Sequence, residues 1–473
     1  MKSFTKAFIL AYDNSIAAFI PELWANEALA ILEENMVITS LIHRDYSPAF
    51  ANYGQVMNVT KVGTFKAKRK VDTEDVTVQD ATATEMQVKL DQHWHTSFLI
   101  KDGQETLAFK SLVETYLVPA VKSIAQAIDR CAISQGVQFL PNASGSIGAG
   151  TKDTLFTDIL DMREKMNVNL APAQGRNIIL TPRTETLILS DKTFLEAHTV
   201  GDEGSALREA SLGRKLGFNF FMGQNTPAPS EATTTAGALD AAEAAGQTVI
   251  SVAAGADETI GHWVTFAGET IPHRVIAASA GNTITVYPAL KKALIDATVV
   301  THYTQGAVVQ ASATVAAGGD GTNAGYRLGW HKDIICTGVT LSVGQMITFG
   351  VAADDAAKAA AQPVYVIVET DGSTYFVLDR PLEAAVANSA KINPGPKGQY
   401  NFAFCREALT MVNRPLALPR PGTGALAGLA AMNGLSIRVV ITYDGYKQGH
   451  LVTVDMLGGF KVMHPELGGI LLA

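Results

Sequence analysis

The sequence predicts an α+β protein in which two small β modules interrupt a larger fold. Three observations lead to this prediction. Apolar residues recur at helical spacing through residues 104–136. Short runs of alternating apolar residues, bounded by Gly, Pro, Asp and Asn, lie on both sides of that segment. Residues 228–398 differ in composition from their flanks and contain two blocks that resemble each other.

Composition limits the class of protein. The chain has 473 residues, enough for about three domains, and is 47% hydrophobic and 17% charged. Its net charge of −8 argues against a general nucleic-acid binder, although a container that does not adhere to DNA remains compatible with it. Three widely separated cysteines argue against a disulfide framework and fit synthesis in a reducing cytoplasm. No apolar run is long enough to predict a membrane span.

Residues 1–46 are predicted to be helical arms. Phe4, Phe8, Tyr12 and Ile16 recur at helical spacing, and Pro21 then begins a second apolar face. An arm this apolar requires a partner surface from its own chain or from a neighbour.

Residues 47–100 predict short alternating strands in a long hairpin. Its charges are segregated into a basic limb and an acidic limb, so that the hairpin could pair with copies of itself. The alternative is a solvated hairpin, since exposed ion pairs contribute only about 0–1 kcal/mol each. His93 and His95 share one strand face, but no third ligand lies near them in the sequence, so no metal site is predicted.

The segment 104–136 predicts a long amphipathic helix. Proline lacks an amide hydrogen, so Pro119 is expected in the first turn of a restarted helix. Asp129 falls on the polar face and Cys131 on the apolar face. From Pro119 to Gly136 the helix would span roughly 27 Å.

Residues 151–227 alternate helical and strand patterns and predict a compact α/β lobe. In the following block, GHWVTFAG (261–268) matches GQMITFGV (344–351), and TITVYPALKKAL (283–294) matches TYFVLDRPLEAA (374–385). We therefore expect two tandem β-barrel or sandwich modules at 228–320 and 321–398. Long strands after residue 399 indicate that the interrupted fold closes with the C-terminus.

Several segments, in their order, resemble tailed-bacteriophage major capsid (coat) proteins. They are IPELWANEALAILEENMVITSLIHRD, GQVMNVTKVGTFKAK, the long helix, the α/β lobe, FAFCREALTMVNRPL and LSIRVVITYDGYKQGHLVTVDMLGGFKVMHPELG. The resemblance covers roughly residues 1–227 and 399–473.

The resemblance implies the capsid fold first seen in phage Hong Kong ninety-seven. The N-terminal arm would be residues 1–46, the extended β-hairpin loop 47–100, and the peripheral domain with its spine helix 101–150 plus part of the C-terminal strands. The axial domain would be 151–227 with 399–473. Some relatives carry one inserted β domain where this chain has two modules.

The implied function is a structural one. Hexamers and pentamers would form an icosahedral virion shell around double-stranded DNA, assembled in the host cytoplasm with a scaffolding protein, a portal and possible decoration proteins. The resemblance implies no catalytic, cofactor-binding or metal-binding residues and no sequence-specific DNA contact. The candidate inter-subunit contacts are Lys66, Lys68, Arg69, Lys70, Asp72, Glu74 and Asp75.

Three alternatives remain open. An encapsulin-like compartment shell shares the fold, but such shells are usually shorter and lack the double insertion. An enzyme is less favoured, because the sequence contains no Gly-x-Ser-x-Gly, His-Glu-x-x-His or Cys-x-x-Cys motif. A glycan-binding protein built on the β modules is the third.

Overall fold

The structure is a computed structural model, and it describes most but not all of the chain. The described residues are 24–32, 36–44, 56–62, 65, 67–70, 75, 78, 83–101, 116–148, 150–195, 210, 212–226, 229, 234–253, 260–279, 282–303, 308–309, 326, 329, 333–337, 341–350, 363–372, 374–386, 390–420, 422–432 and 434–473.

The described helices and strands follow the chain in this order. The α-helices are α1 (Ile38–Leu41), α2 (Val118–Gln135), α3 (Lys152–Val168), α4 (Pro182–Leu189) and α5 (Lys192–Leu195); residues 24–32 are also helical, and 3-10 turns span Gly136–Asn142, Arg406–Ala408 and Pro465–Leu467. The strands are β1 (Val56–Val62), β2 (Ala83–Lys89), β3 (Gln92–Lys101), β4 (Ser144–Gly145), β5 (Arg176–Leu180), β6 (Arg214–Lys215), β7 (Phe218–Met222), β8 (Thr234–Ala238), β9 (Val249–Ser251), β10 (Trp263–Phe266), β11 (His273–Ser279), β12 (Thr283–Tyr287), β13 (Val299–Tyr303), β14 (Val308–Val309), β15 (Ile334–Thr337), β16 (Met346–Phe349), β17 (Tyr365–Thr370), β18 (Tyr375–Leu378), β19 (Ile392–Pro394), β20 (Tyr400–Cys405), β21 (Leu409–Arg414), β22 (Leu426–Met432), β23 (Leu435–Asp444), β24 (Gly449–Val462) and β25 (Gly468–Leu472).

The chain divides into two compact units. The first contains Met1–Leu29, Arg44–Phe109 and Thr410–Met463. The second contains Ala30–His43, Lys110–Leu409 and His464–Ala473. The α+β prediction is confirmed at this coarse level, since helices and sheets both contribute to the fold.

The first unit contains the hairpin β1–β2 and a sheet with the order β21-β24-β23-β22, in which β3 also pairs with β24. The hairpin pairs without a slip from Val56 opposite Lys89 to Val62 opposite Ala83. Its base packs through Val88 and Leu90 against Val412 and Met463. A Cβ at Gly459 of β24 would overlap the carbonyl oxygen of Lys89, so only glycine allows this close approach.

The second unit is built on a mixed sheet with the order β4-β25-β20-β5-β7-β6. Strands β5 and β7 precede the β modules in the sequence, whereas β20 and β25 follow them. Strands from both sides of the β modules therefore belong to one sheet. Helix α3 packs on the sheet through Leu155, Ile159, Met162 and Met166, which recur every three or four residues.

Helix α2 has Pro119 in its first turn, as the sequence predicts. Its buried face includes Val121, Ile124, Ile128 and Cys131. Asp129, which the sequence puts on the polar face of the helix, is also buried, with 2% of its surface exposed. The preceding segment 102–115, in which the amphipathic pattern of residues 104–136 begins, lies outside the described residues.

The two β modules share one topology. The first sheet has the order β8-β13-β10-β11-β12-β9 and the second β14-β15-β18-β17-β16-β19. When the second sheet is listed in reverse order, five strands of the two modules correspond in pairs. These pairs are β13 with β19, β10 with β16, β11 with β17, β12 with β18, and β9 with β15. A register shift interrupts β11 between Val275 and Ala277, and the equivalent β17 between Ile367 and Glu369. A shared strand order and a shared bulge support the tandem duplication that the sequence predicts.

The modules differ at one strand. In the first module, β8 pairs with β13 and also reaches the strand at the far edge, because Leu239 bridges to Val252 and the amide of Ala253 donates to the carbonyl of Ala238. This closes a small barrel. In the second module, β14 pairs with β15 instead, so that sheet begins at Val308, before the expected boundary at residue 321.

Candidate assembly surfaces

The first candidate surface is the segment that joins β1 to β2. Lys68, Arg69, Lys70 and Asp75 are described there, and all four are exposed. Two apolar side chains nearby are also exposed, Phe65 by 61% and Val78 by 89%. The segment therefore presents positive charge next to apolar surface. The other candidate contacts, Lys66, Asp72 and Glu74, lie outside the described residues.

The His93–His95 pair belongs to a structural ion network. His93 Nε2 lies 3.2 Å from Asp455 Oδ2, and the guanidinium of Arg438 binds both oxygens of the same carboxylate at 2.9 and 2.5 Å. The Asp455 side chain is nearly fully buried, with 4% exposed. Arg438 therefore neutralises the carboxylate that His93 contacts. Within the described part of the chain, no group of three metal-ligating side chains comes together.

Asp129 holds the short segment 36–43 against α2. Its carboxylate accepts the amide N–H of Val37 at 2.9 Å and the hydroxyl of Thr39 at 2.9 Å. Helix α1 has no side-chain cap of its own at Val37, so Asp129 caps it from a distant part of the sequence. Burial raises the pKa of Asp129 to about 6, and the hydrogen bonds from Val37 and Thr39 oppose that rise only partly.

The second β module is fixed to the C-terminal end of α2 by a buried polar cluster. The Ser134 hydroxyl donates to Asp379 Oδ2 at 2.5 Å, and the Arg380 guanidinium donates to the same oxygen at 2.9 Å. Arg380 also donates to the Val364 carbonyl at 2.8 Å and to Glu383 Oε1 at 2.7 Å. Its guanidinium carbon lies 4.7 Å from the centre of the Tyr365 ring.

The first module attaches through the corresponding corner. Lys291, in the segment after β12, donates to the carbonyl of Ala143 at 2.9 Å, and Lys165 of α3 donates to the same oxygen at 3.0 Å. Burial, together with the charge of Lys165, lowers the pKa of Lys291 to about 8. The modules also contact each other, since the buried Thr348 hydroxyl donates to the Gly261 carbonyl at 2.5 Å.

Sequence reasoning missed the residues that join these elements. Helical spacing puts Asp129 on the polar face of its helix, and no sequence motif distinguishes Asp379, Arg380 or Lys291. The internal repeat is the signal that could have located these three residues, because Lys291 lies in one of the matched blocks, 283–294, and Asp379 and Arg380 lie in the other, 374–385. Among the described residues, no helix is both long and apolar enough to cross a membrane.

Comparisons with known proteins show similarity at the level of solved structures only. No protein-family profile and no curated protein matches the sequence. The chain is similar to a structure described as Mycobacterium phage Che8, with 11% identity and a TM-score of 0.42 over 92% of this chain and 90% of that chain. It is also similar to the capsid structure of cyanophage P-SCSP1u, with 10% identity and a TM-score of 0.44 over 93% and 88%. A third similar structure is the mature capsid of bacteriophage PhiM1, with 8% identity and a TM-score of 0.39 over 89% and 82%.

Proposed function

We propose that the chain is the major capsid protein of a tailed bacteriophage. It would self-assemble into hexamers and pentamers of an icosahedral shell that encloses double-stranded DNA. The observation that carries the proposal is the order of the described elements: a hairpin, a long buried helix, and a mixed sheet that β modules interrupt and C-terminal strands complete. The same order underlies the resemblance of the sequence to capsid proteins.

The buried charges support a structural role. Asp129 and Arg380 are each buried and hydrogen-bonded to side chains or backbone of neighbouring elements. Such groups hold elements together. A shell subunit needs this kind of internal fixation, because each copy must present the same surfaces to several neighbours.

The hairpin is the proposed contact between neighbours in a ring. Closed rings require heterologous contacts, in which different surfaces of two copies meet. A two-stranded hairpin is marginally stable alone, so the surface of a neighbour would support it. In this proposal Lys66, Lys68, Arg69 and Lys70 contact acidic groups, and Asp72, Glu74 and Asp75 contact basic groups, of adjacent subunits.

The first test is self-assembly of the purified chain. We expect light scattering and negative-stain microscopy to show shells or capsomer rings, either alone or after co-expression with the scaffolding protein that the proposal implies. Double-stranded DNA in particles from infected cells would support a virion, whereas an enclosed enzyme would support a compartment. A chain that stays monomeric at high concentration, with and without the scaffold, would contradict the proposal.

The second test addresses the hairpin charges. Lys68→Glu with Arg69→Glu should reduce the yield of particles and make the remaining yield depend less on salt, since exposed charges act over about 8 Å at physiological ionic strength. Arg420→Glu with Lys447→Glu is the matched control, because both residues are exposed in the same unit. Equal yields for both double variants would remove the hairpin charges from the proposal.

A further inference from the structure

Edge strands expose unpaired backbone groups, and proteins protect such edges from pairing with other chains. Most described edges are protected here. Strands β4, β6 and β14 are two residues long, and β19 ends at Pro394. Strands β1, β2, β3 and β21 carry ionisable side chains, and β8 is joined to β9 across the barrel.

Strand β22 has none of these protections. Its sequence, LAGLAAM, contains no ionisable residue and no proline, and all seven residues pair regularly with β23 from Leu426 opposite Ile441 to Met432 opposite Leu435. Among the described strands it lies at the end of its sheet, with β23 as its partner. Leu426 and Met432, at the two ends of the strand, are 45% and 52% exposed.

We propose that β22 pairs in antiparallel fashion with β22 of a second copy of this chain, about a two-fold axis near Leu429. This inference rests on the proposed function. In such a pair Leu429 faces its own copy, and Leu426 faces Met432 at both ends. The exposed apolar ends therefore cover each other, and a strand without charge does not repel its own copy.

The symmetry assigns this contact a place in the shell. A pair about a two-fold axis uses the same surface on both copies, so it joins two subunits and cannot close a ring of five or six. The β22 contact therefore joins neighbouring capsomers, whereas the hairpin contacts act within a capsomer.

Cysteine cross-linking tests the register of the pair. Cys131, Cys336 and Cys405 are all buried, so a short bis-maleimide applied to assembled particles reports on the introduced thiols. We expect dimers from Leu429→Cys alone. Leu426→Cys and Met432→Cys should give few dimers separately and many when the two variants are mixed. The control is Tyr446→Cys, in a fully exposed turn.

The outcomes separate this inference from the proposed function. Particles without Leu429→Cys dimers, or with equal dimers from every variant and the control, overturn the β22 pair and leave the capsid function intact. Absence of any particle from the unmodified chain, both with and without the scaffolding protein, would overturn both.

Charge substitution gives a second, independent test. Leu429→Lys places two like charges opposite each other and should lower particle yield about tenfold. Thr442→Lys adds the same charge on the neighbouring central strand and should leave the yield unchanged. Mixing Leu429→Lys with Leu429→Glu should restore the yield, because only a pair in which Leu429 faces itself becomes complementary. Failure of this rescue, with both proteins folded, would overturn the inference.

Discussion

At the scale of single residues, Asp129 shows how one carboxylate can fix a distant segment. It replaces the missing cap of α1 and is buried in doing so. Its pKa rises from 3.8 to about 6 because burial outweighs the hydrogen bonds from Val37 and Thr39. The folded protein therefore binds this proton more tightly than the unfolded chain does. The ionised form costs about 3 kcal/mol relative to the neutral form.

Asp129→Asn should remove the dependence of the free energy of unfolding on pH that this carboxylate causes. In the parent protein, the contribution of Asp129 to the free energy of unfolding falls as pH rises from about 4 to about 6 and is constant above that. The stability of the variant relative to the parent should therefore increase by up to about 3 kcal/mol over this interval. Urea denaturation across the pH range measures the difference.

The control for Asp129 is Asp153→Asn, an exposed carboxylate in the first turn of α3. It should not reproduce the pH profile. A difference between Asp129→Asn and the parent that is the same at all pH values would show that burial does not perturb this carboxylate.

Sequence reasoning predicted the secondary structure around Asp129 but not its environment. The spacing of Val121, Ile124 and Ile128 predicts the helix and its apolar face, and Pro119 predicts the position of the first turn. Periodicity places Asp129 on the polar face because the pattern contains information only about residues of the same helix. The residues that bury and bind it, Val37 and Thr39, lie about 90 positions away, and only the folded chain brings them together.

At the scale of elements, the duplicated modules provide an internal comparison. In the first module, Val264 of β10 lies opposite His273 on one side and His302 on the other. In the second, the equivalent Ile347 of β16 lies opposite Tyr365 and Pro394. Burial lowers the pKa of both His273 and His302, so the folded module favours their neutral forms more than the unfolded chain does.

Acid should therefore open the first module before the second. Below about pH 6.5 the unfolded chain binds protons that the folded module excludes, so stability falls as pH falls. We expect hydrogen exchange, corrected for its intrinsic pH dependence, to show a progressive loss of protection in β10–β13 below about pH 6.5 and little change in β16–β19. The double variant His273→Gln with His302→Gln should lose less protection from hydrogen exchange in β10–β13 than the parent protein does. Equal loss in both modules would contradict this account.

The Asp379–Arg380 cluster gives a second prediction for an element. Arg380→Met leaves the carboxylate of Asp379 buried and without its cation, and should cost about 3–5 kcal/mol of stability. Arg380→Met combined with Asp379→Asn removes both charges and should cost less. Glu383→Gln is the control, because that carboxylate is 44% exposed and its ion pair should contribute about 0–1 kcal/mol. Chemical denaturation that finds equal costs for the single and double variants would contradict the ion-pair account.

The modules also show what the sequence could predict about elements. Similar blocks at 261–268 and 344–351 predicted two copies, since core positions such as Phe266 and Phe349 repeat. The boundary at residue 321 could not be placed from the repeat alone. Strand β14 contributes only Val308 and Val309 to the second sheet, and a pair of residues carries no periodicity.

At the scale of the whole molecule, the second module is inserted between two strands whose phenols interact electrostatically. Strand β13 ends at Tyr303 and β20 begins at Tyr400. Burial and the neighbouring Tyr303 phenol raise the pKa of the Tyr400 phenol well above its ordinary value. The chain leaves the first module after β13 and enters the lobe at β20, so we expect a short linker between these two points to replace the second module.

Removing residues 304–397 and joining the ends with a short Gly-Ser linker should therefore leave a folded chain. The variant loses the bonds from Asp379 and Arg380 to Ser134, so we expect a cooperative transition at a Tm several degrees lower. If the second module mainly stabilises the subunit, the remaining hairpin, helix and sheet should still form particles of normal diameter at reduced yield. Circular dichroism and negative-stain microscopy measure both properties. The combined Arg380→Met and Asp379→Asn variant is the matched control, because it weakens the attachment and keeps the module. A deletion variant that melts cooperatively but forms no particles, beside a control that forms them, would instead assign the second module a contact between subunits.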